Sequence, residues 1–289
     1  MWTSLLTLLS ATASVPQDCH PLPGWEAIAN EAQGKYLIFG ETHGSSESPE
    51  AVAEYVCAVA DSGPVLVALE FSSETDPAWQ RAWAAPHEEF RETLLDEVSD
   101  WGERRDGVAS AAMLAMVERL HALKTAGRDI DIVAFNGARS DAQRAAFAPL
   151  PGQEPHEAAQ AANIRAASLQ RRYAHVVVLA GNLHATKMPL TVRETSVRPM
   201  AMLLAEPGRV VSLDMHGEGG TTWSCQLVTE PKPGEPVTDD MVECRDFPIG
   251  ASRPARTRGF HLDPAMAEWG FDGVFALGPV SASPPPAID

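Results

Sequence analysis

Hydrophobic residues recur along this chain as short unbroken runs rather than in strict alternation. Lys35–Phe39, Val65–Glu70, Ile130–Phe135, His175–Ala180 and Val210–Asp214 are rich in Val, Ile and Leu and are bounded by turn residues. Such runs fit strands buried on both faces, as in a parallel sheet. Helical patterns separate them. Pro49–Asp61 opens on a proline preceded by a serine, a helix-start signal. A long helical region extends from Pro77 to Ala126. In its last part, Gly107–Lys124, residues Val108, Met113, Met116, Val117 and Leu120 recur at helical spacing. Pro155–Tyr173 predicts a further helix. This alternation predicts an α/β fold: a mainly parallel sheet flanked by helices, with a helical excursion after the second strand and a C-terminal strand-loop region. Beyond Thr221 the helical period fades, and Thr222–Val228 is expected to form another strand through an antiparallel connection.

The two ends differ from the body of the chain. Met1–Ala13 is a short apolar segment ending in Ala11-Thr12-Ala13, the small-x-small pattern of a signal-peptide cleavage site, although no Lys or Arg precedes it. It is too short to span a bilayer, and no other stretch is long and apolar enough to do so. The mature protein is therefore expected to be exported, to the periplasm or beyond, with no transmembrane segment. Residues 14–280 are expected to form one α/β domain with the excursion at about 74–126, and the Pro-rich residues 281–289 a flexible tail.

Composition narrows the function classes. Of 289 residues 45% are hydrophobic and 21% charged, enough to bury a core and to exclude a wholly disordered chain. The formal charge of −17 sets nucleic acid aside, because phosphates would be repelled. The four cysteines, Cys19, Cys57, Cys225 and Cys244, form no CxxC pair, which excludes a zinc ribbon or a thioredoxin-type motif. In an exported chain they fit one or two disulfides. Cys225–Cys244 is the favoured pair because it brackets a polar, Pro-rich loop, whereas Cys57 lies in an apolar helical pattern and equally fits a buried free thiol.

The candidate chemistry lies where the apolar runs stop. The first run passes into Gly40-Glu41-Thr42-His43-Gly44, the second into Glu70, the third into Asn136-Gly137 and the fourth into Gly181-Asn182-Leu183-His184. Ligands of open parallel sheets bind outside the carboxyl ends of the strands, and four strands deliver Glu/His, Glu, Asn and Asn/His to that edge. Any one of these residues alone has an ordinary reading as a solvated loop residue or a helix N-terminal charge. Two Gly-x-x-His units at matching strand ends point instead to a shared site. Asp214 and His216 end the fifth run, but no motif supports them, so they stay outside the core set.

Gly40-Glu41-Thr42-His43-Gly44 followed by Glu47, then Ala161-Ala162-Asn163-Ile164, then Gly181-Asn182-Leu183-His184-Ala185, resemble in order and spacing the motifs of a known superfamily. It joins erythromycin esterases, ChaN-like haem-binding proteins and Tiki proteases. The resemblance covers about Lys35 to Lys187. It departs from the family pattern at the start of the Asn163 helix, where His156-Glu157 stand in place of an Arg-Asp pair and Gln160 in place of a methionine. The resemblance implies a hydrolase-like protein acting on an ester or amide in a small-molecule or peptide substrate, with His43, His184, Glu41 and Glu70 as the catalytic set. It places Asn163 in a supporting role, with Glu47 beside the first motif. Arg104 and Arg105 are candidates to clamp a carboxylate or stabilise an oxyanion. The alternative that the resemblance carries is a ChaN-like binder of haem or another iron compound. That branch uses tyrosine ligands, and only Tyr36, Tyr55 and Tyr173 occur here, none at a strand end of the set.

A hydrolase needs a base to activate water and a donor to stabilise the developing oxyanion. His43, near Glu41 and Glu70, is expected to be held in one tautomer and to take a proton from water. His184 is then the second acid/base or the group that polarises the carbonyl. The same two histidines and two carboxylates would equally make a divalent-metal site, as the Tiki branch suggests, and spacing does not choose between these. No Gly-x-Ser-x-Gly elbow, His-Glu-x-x-His, P-loop or Gly-x-Gly-x-x-Gly is present.

Overall fold

The computed structural model describes residues 19–192, 194–231, 236–252 and 255–287. The expected signal peptide at 1–13 lies outside them. In chain order the elements begin with helix α1 (Trp25–Glu31), strand β1 (Tyr36–Glu41), α2 (Glu47–Val59) and β2 (Val65–Ser72). The excursion holds α3 (Asp76–Ala84), α4 (His87–Glu97), α5 (Asp100–Glu103) and α6 (Ala111–Thr125). Then come β3 (Ile130–Asn136), α7 (Asp141–Phe147), α8 (Glu154–Ser168), β4 (His175–Gly181) and α9 (Asn182–Ala185). A small hairpin of β5 (Leu190–Val192) and β6 (Thr195–Val197) precedes α10 (Met200–Leu204) and β7 (Val210–Leu227). The chain closes with β8 (Val242–Ala251), β9 (Gly259–Leu262), a 3-10 turn at Pro264–Trp269 and β10 (Gly273–Val280).

The main sheet runs β3-β2-β4-β1-β7-β10-β9, and β8 pairs with β7. From β3 to β10 every neighbour is parallel; only β9 and β8 run antiparallel to their partners. The aliphatic runs are explained by burial on both faces. Leu37, Phe39, Val67, Leu69, Val177 and Leu179 face one layer with α2 and α6. Ile38, Leu66, Ala68, Val178 and Ala180 face the other, with α8 and α10. The expected fold class therefore holds.

Two local expectations change. The helical region after β2 resolves into four helices: Ala85-Pro86 ends α3, as a proline must where the helix would need its N–H. This excursion is anchored by Phe71, Trp79 and Trp101, whose ring centroids lie 4.8–5.9 Å apart. Second, Thr222–Val228 is not a separate strand. Thr222–Leu227 is the last third of the 18-residue β7, which runs parallel to β1 and β10 and then pairs antiparallel with β8. Glycines bend the strand before this stretch. Gly220 has φ +112°, and a Cβ there would lie 2.0 Å from the Val280 carbonyl oxygen, so the strand turns without ending.

Both cysteine pairs form disulfides, Cys19–Cys57 and Cys225–Cys244. Cys57 is thus bonded, and the free-thiol alternative falls away. The start of the C-terminal segment, residues 281–284, is hydrogen-bonded to the body of the fold. Ser283 N donates to the Gly44 carbonyl at 2.8 Å, and Ala111 N donates to the Pro284 carbonyl at 2.8 Å. Among the described residues no helix is long and apolar enough to cross a membrane.

The order of the strands makes the site. β1 leaves through α2 on one face of the sheet to reach β2, whereas β4 leaves through α9 and α10 on the opposite face to reach β7. The chain therefore parts in opposite directions beyond the adjacent carboxyl ends of β1 and β4, and a crevice opens between them.

Candidate active site

Glu41 pairs in register with Gly181 at the last rung of β1 and β4, so His43 and His184 come from neighbouring strand ends. Glu70 arrives from β2 on the far side of β4. The three carboxylates and two imidazoles form one alternating row. The Nδ1 atom of His43 lies 2.9 Å from Glu41 Oε1, and its Nε2 lies 3.6 Å from Glu70 Oε2. Across Glu70, His184 Nε2 lies 3.5 Å from Oε1. His184 Nδ1 then lies 2.9 and 2.8 Å from the two oxygens of Glu157. A carboxylate only accepts, so the Nδ1 of each histidine carries a proton. Both Nε2 atoms are left facing the crevice around Glu70.

Backbone groups fix the row. Gly181 N donates to Glu70 Oε2 at 2.7 Å, and Met200 N donates to Glu157 Oε2 at 2.8 Å. Gly181 must also be small: a Cβ there would stand 2.9 Å from His43 Nε2 and 3.6 Å from Glu70 Oε2. Gly44, at φ +78°, lets the chain pass so close to the Trp223 carbonyl that a Cβ would lie 2.0 Å from it. The carboxylates Glu41, Glu70 and Glu157 are buried, while the His43 and His184 side chains keep 25% and 22% of their surface exposed. The reactive nitrogens are therefore positioned from behind by buried acids and remain open to a ligand.

The surroundings separate the two histidines. Burial alone pushes the pKa of His43 down, but Glu70, then the hydrogen bond and charge of Glu41, and then Asp106 outweigh it and raise it to about 9. For His184 burial again lowers the pKa, while the Glu157 hydrogen bond and the charges of Glu70 and Glu157 raise it above 6.5, and the nearby His43 opposes that rise. A third imidazole, His156, has its ring centre 5.9 Å from that of His184 and is held at Nε2, 3.0 Å from Gln160 Nε2. Burial holds its pKa below the usual imidazole value, helped by the charges of His184 and Arg104 and opposed by those of Glu157 and Glu70.

The structure brings Glu41, His43, Glu70 and His184 together. Arg104 sits at the rim: its Nη1 donates to the Glu70 carbonyl at 2.7 Å, and it pairs with Asp106. The other supporting candidates make contacts outside the histidine row. Arg105 offers its carbonyl oxygen to Trp223 Nε1 at 3.0 Å. Glu47 accepts from Ser281 N at 2.9 Å at the start of α2. Asn163 spends its amide on the turn after β3, donating to the carbonyls of Phe135 and Gly137 and accepting from Arg139 and Gln143. Glu157 is the member that sequence reasoning passed over. The position was visible, because His156-Glu157 stand where the family pattern has an Arg-Asp pair, but it was read as a departure and not added to the site.

The Nδ1 atoms of both histidines are held by carboxylates, an arrangement that also orients metal-binding histidines, and the two Nε2 atoms lie beside different oxygens of Glu70. Among the described residues no group of three or more His, Cys, Asp or Glu side chains is placed to hold a metal ion. Tyrosine ligation of haem does not fit this edge either. Tyr36 starts β1 and Tyr173 precedes β4, both at the opposite edge of the sheet, while Tyr55 is buried against Phe39 and Phe260.

No family model matches this chain, and no curated protein matches it significantly. Solved structures do match. A succinoglycan biosynthesis protein is similar with a TM-score of 0.60 at 12% identity, covering 92% of this chain and 93% of the other. A protein from Bacillus cereus is similar with a TM-score of 0.55 at 10% identity, covering 91% and 93%. An erythromycin esterase variant in its open conformation is similar with a TM-score of 0.52 at 13% identity, covering 79% and 80%. At these identities the likeness is one of fold.

Proposed function

We propose that this chain is an exported hydrolase that cleaves an ester or amide by acid–base chemistry between His43 and His184. The observation that carries the reading is the alternating row Glu41–His43–Glu70–His184–Glu157, with both Nε2 atoms open to the crevice. Sites that run acid and base chemistry together keep paired groups whose environments push their pKa values apart. His43, raised to about 9, holds its proton at neutral pH and serves as the acid. His184, whose rise is opposed by the charge of His43, serves as the base. The electrostatics thus exchange the roles that position alone suggested for the two histidines.

In the reaction, His184 Nε2 takes a proton from water as the water oxygen bonds to the acyl carbon. The His43 Nε2–H donates to the developing oxyanion. When the acyl carbon–oxygen or carbon–nitrogen bond breaks, the departing alcohol or amine takes a proton from an imidazolium, leaving a carboxylic acid. Glu41 and Glu157 hold the tautomers and stabilise the imidazolium forms. Glu70 keeps the two Nε2 atoms apart and oriented. Two disulfides support export to an oxidising compartment. The esterase fold of one structural neighbour is in keeping with the reading.

The test is a panel of p-nitrophenyl esters and p-nitroanilides hydrolysed by the wild type, His43→Ala and His184→Ala. Each variant should lose about 10²–10⁴-fold in kcat/KM, the usual worth of a positioned acid or base, and dialysis against a chelator should leave the wild-type rate unchanged. Absence of turnover above background by the wild type, or full activity in both variants, would overturn the reading.

A further inference from the structure

The reaction proposed above leaves one imidazole of the crevice without a task. His156 lies in the first turn of α8 beside Glu157, and its ring centre is 5.9 Å from that of His184 at a tilt of 46°. Glu157, His184, Glu70 and Arg104 all act on it by charge, which places it among the groups of the histidine row and its rim. The residue is exposed, yet the walls beside its ring strip away enough water to hold its pKa below the usual imidazole value. At neutral pH it is therefore a neutral ring, in which one nitrogen donates and the other accepts.

The tautomer is set from behind. Gln160, one turn further along α8 and fully buried, gives its amide nitrogen to two partners, Asn136 Oδ1 at 2.9 Å and His156 Nε2 at 3.0 Å. An amide nitrogen only donates, so His156 Nε2 accepts and the ring proton sits on Nδ1. Among the described residues no group takes up that Nδ1–H. Gly137, at φ +74° just beyond β3, lies against the same edge of the ring: a Cβ there would stand 3.7 Å from Cε1 and 3.8 Å from Nδ1. Its missing side chain keeps the approach to the donor open. Asn136 and Gly137 end β3, and the sheet runs β3-β2-β4-β1, so His156 is held on the side of the row away from His43. His43 donates to the acyl oxygen; the donor of His156 meets a different atom. The buried carboxylates Glu41, Glu70 and Glu157 disfavour an anion in the crevice. A neutral N–H there suits an uncharged acceptor, an ether, hydroxyl or carbonyl oxygen.

We infer that His156 is a substrate-binding residue: its Nδ1–H holds an uncharged acceptor oxygen of the substrate a few bonds from the acyl carbon, so that the site prefers an oxygen-bearing ester or amide to a plain alkyl one. The short span between the rings of His156 and His184 sets that reach. His156 has this task on the hydrolase reading above, which supplies the acyl carbon; the donor itself depends only on Gln160 and Gly137.

The test uses methyl ketones, which present a carbonyl but no leaving group and so report binding without turnover. Methoxyacetone, 4-methoxybutan-2-one and 5-methoxypentan-2-one place an ether oxygen two, three and four bonds from the carbonyl carbon; pentan-2-one, hexan-2-one and heptan-2-one are their all-carbon counterparts. In the full-length protein labelled with ¹⁵N-histidine, the ring nitrogens of His156, assigned with His156→Ala, should show the proton on Nδ1. At least one ether ketone should bind more tightly than its counterpart, read at the His184 Cε1–H resonance. In His156→Ala that preference should shrink by about 3–10-fold, the worth of one neutral hydrogen bond. His156→Asn, whose amide nitrogen occupies the place of Nδ1, should restore it. A ring proton on Nε2, no preference for any ether ketone, or a preference that survives in His156→Ala overturns the assignment. The two readings fail separately. A preference lost in His156→Ala without turnover of any ester keeps the donor and removes the hydrolase. Ester turnover with no ketone preference keeps the hydrolase and removes the task of His156.

Discussion

Replacing Glu70 with Gln keeps the shape of the side chain and removes the negative charge that faces both imidazoles. That charge lies 3.6 Å from His43 Nε2 and 3.5 Å from His184 Nε2. At about 4 Å and an effective dielectric near 20 a pair of charges interacts by roughly 4 kcal/mol. Partial exposure of the imidazoles and the Gly181 N–H shared by Glu70 reduce this. An opposite charge at this distance shifts a pKa by about 1–3 units, and the lower half of that range, ~1–2 units or roughly 1.4–2.7 kcal/mol, is expected for His43. Its titration should fall from about 9 by that amount, and that of His184 should fall with it. Stability follows with a definite sign. The folded-state pKa of His43 is raised, so its contribution is fully present below 6.5 and is lost as pH rises through about 9. The wild type should therefore exceed Glu70→Gln in unfolding free energy by more at about pH 6 than at about pH 9.5, the difference being on the order of 1.4–2.7 kcal/mol from His43 alone. The assay is an NMR titration of histidine Cε1–H resonances, assigned with His43→Gln and His184→Gln, with denaturant unfolding at the two pH values. A wild-type His43 that titrates near its ordinary 6.5, or midpoints that Glu70→Gln leaves unmoved, would refute the reasoning.

Other perturbations probe the same frame. Gly181→Ala places a methyl group 2.9 Å from His43 Nε2; it should cut ester turnover by at least ~10-fold, the scale of a misplaced acid, and shift the His43 resonance without changing far-UV circular dichroism. Glu157→Gln removes the acceptor that fixes His184, so kcat should fall while KM holds, and His184 should titrate lower than in the wild type. The double variant Cys225→Ser/Cys244→Ser opens a link across 19 positions. It should cost ~2–3 kcal/mol and lower the melting temperature by ~4–10 °C, and calorimetry at equal pH gives the comparison.

The sheet was legible because its strands are buried on both faces and so appear as unbroken aliphatic runs, with Val176-Val177-Val178-Leu179 the clearest. Glu41, His43, Glu70 and His184 were legible for a related reason: a polar residue placed where such a run stops has few places to go except the sheet edge. Glu157 was not, because its partner His184 is 27 positions away and its own helix supplies an ordinary reason for an acid there. The placement of Asn163 beside the histidines rested on its motif. Its amide instead satisfies backbone carbonyls of the turn after β3, a demand that no spacing along the chain announces. The continuity of β7 was hidden by Gly217, Gly219 and Gly220, which look like a break and act as a bend. The Cys19–Cys57 pair joins the segment before α1 to a helix beyond β1, a long-range contact that composition does not specify.

Catalysis as proposed turns on which histidine gives the proton and which takes it. The pH profile of kcat/KM for a p-nitrophenyl ester, measured with the wild type and His43→Gln, addresses this most directly. The predicted wild-type profile is a bell, with a rising limb above 6.5 as His184 becomes neutral and a falling limb near 9 as His43 loses its proton. In His43→Gln the falling limb should vanish and the plateau should drop by about 10²-fold or more. A wild-type rate that keeps climbing through 9, or a falling limb that survives in His43→Gln, would contradict the assignment of His43 as the acid.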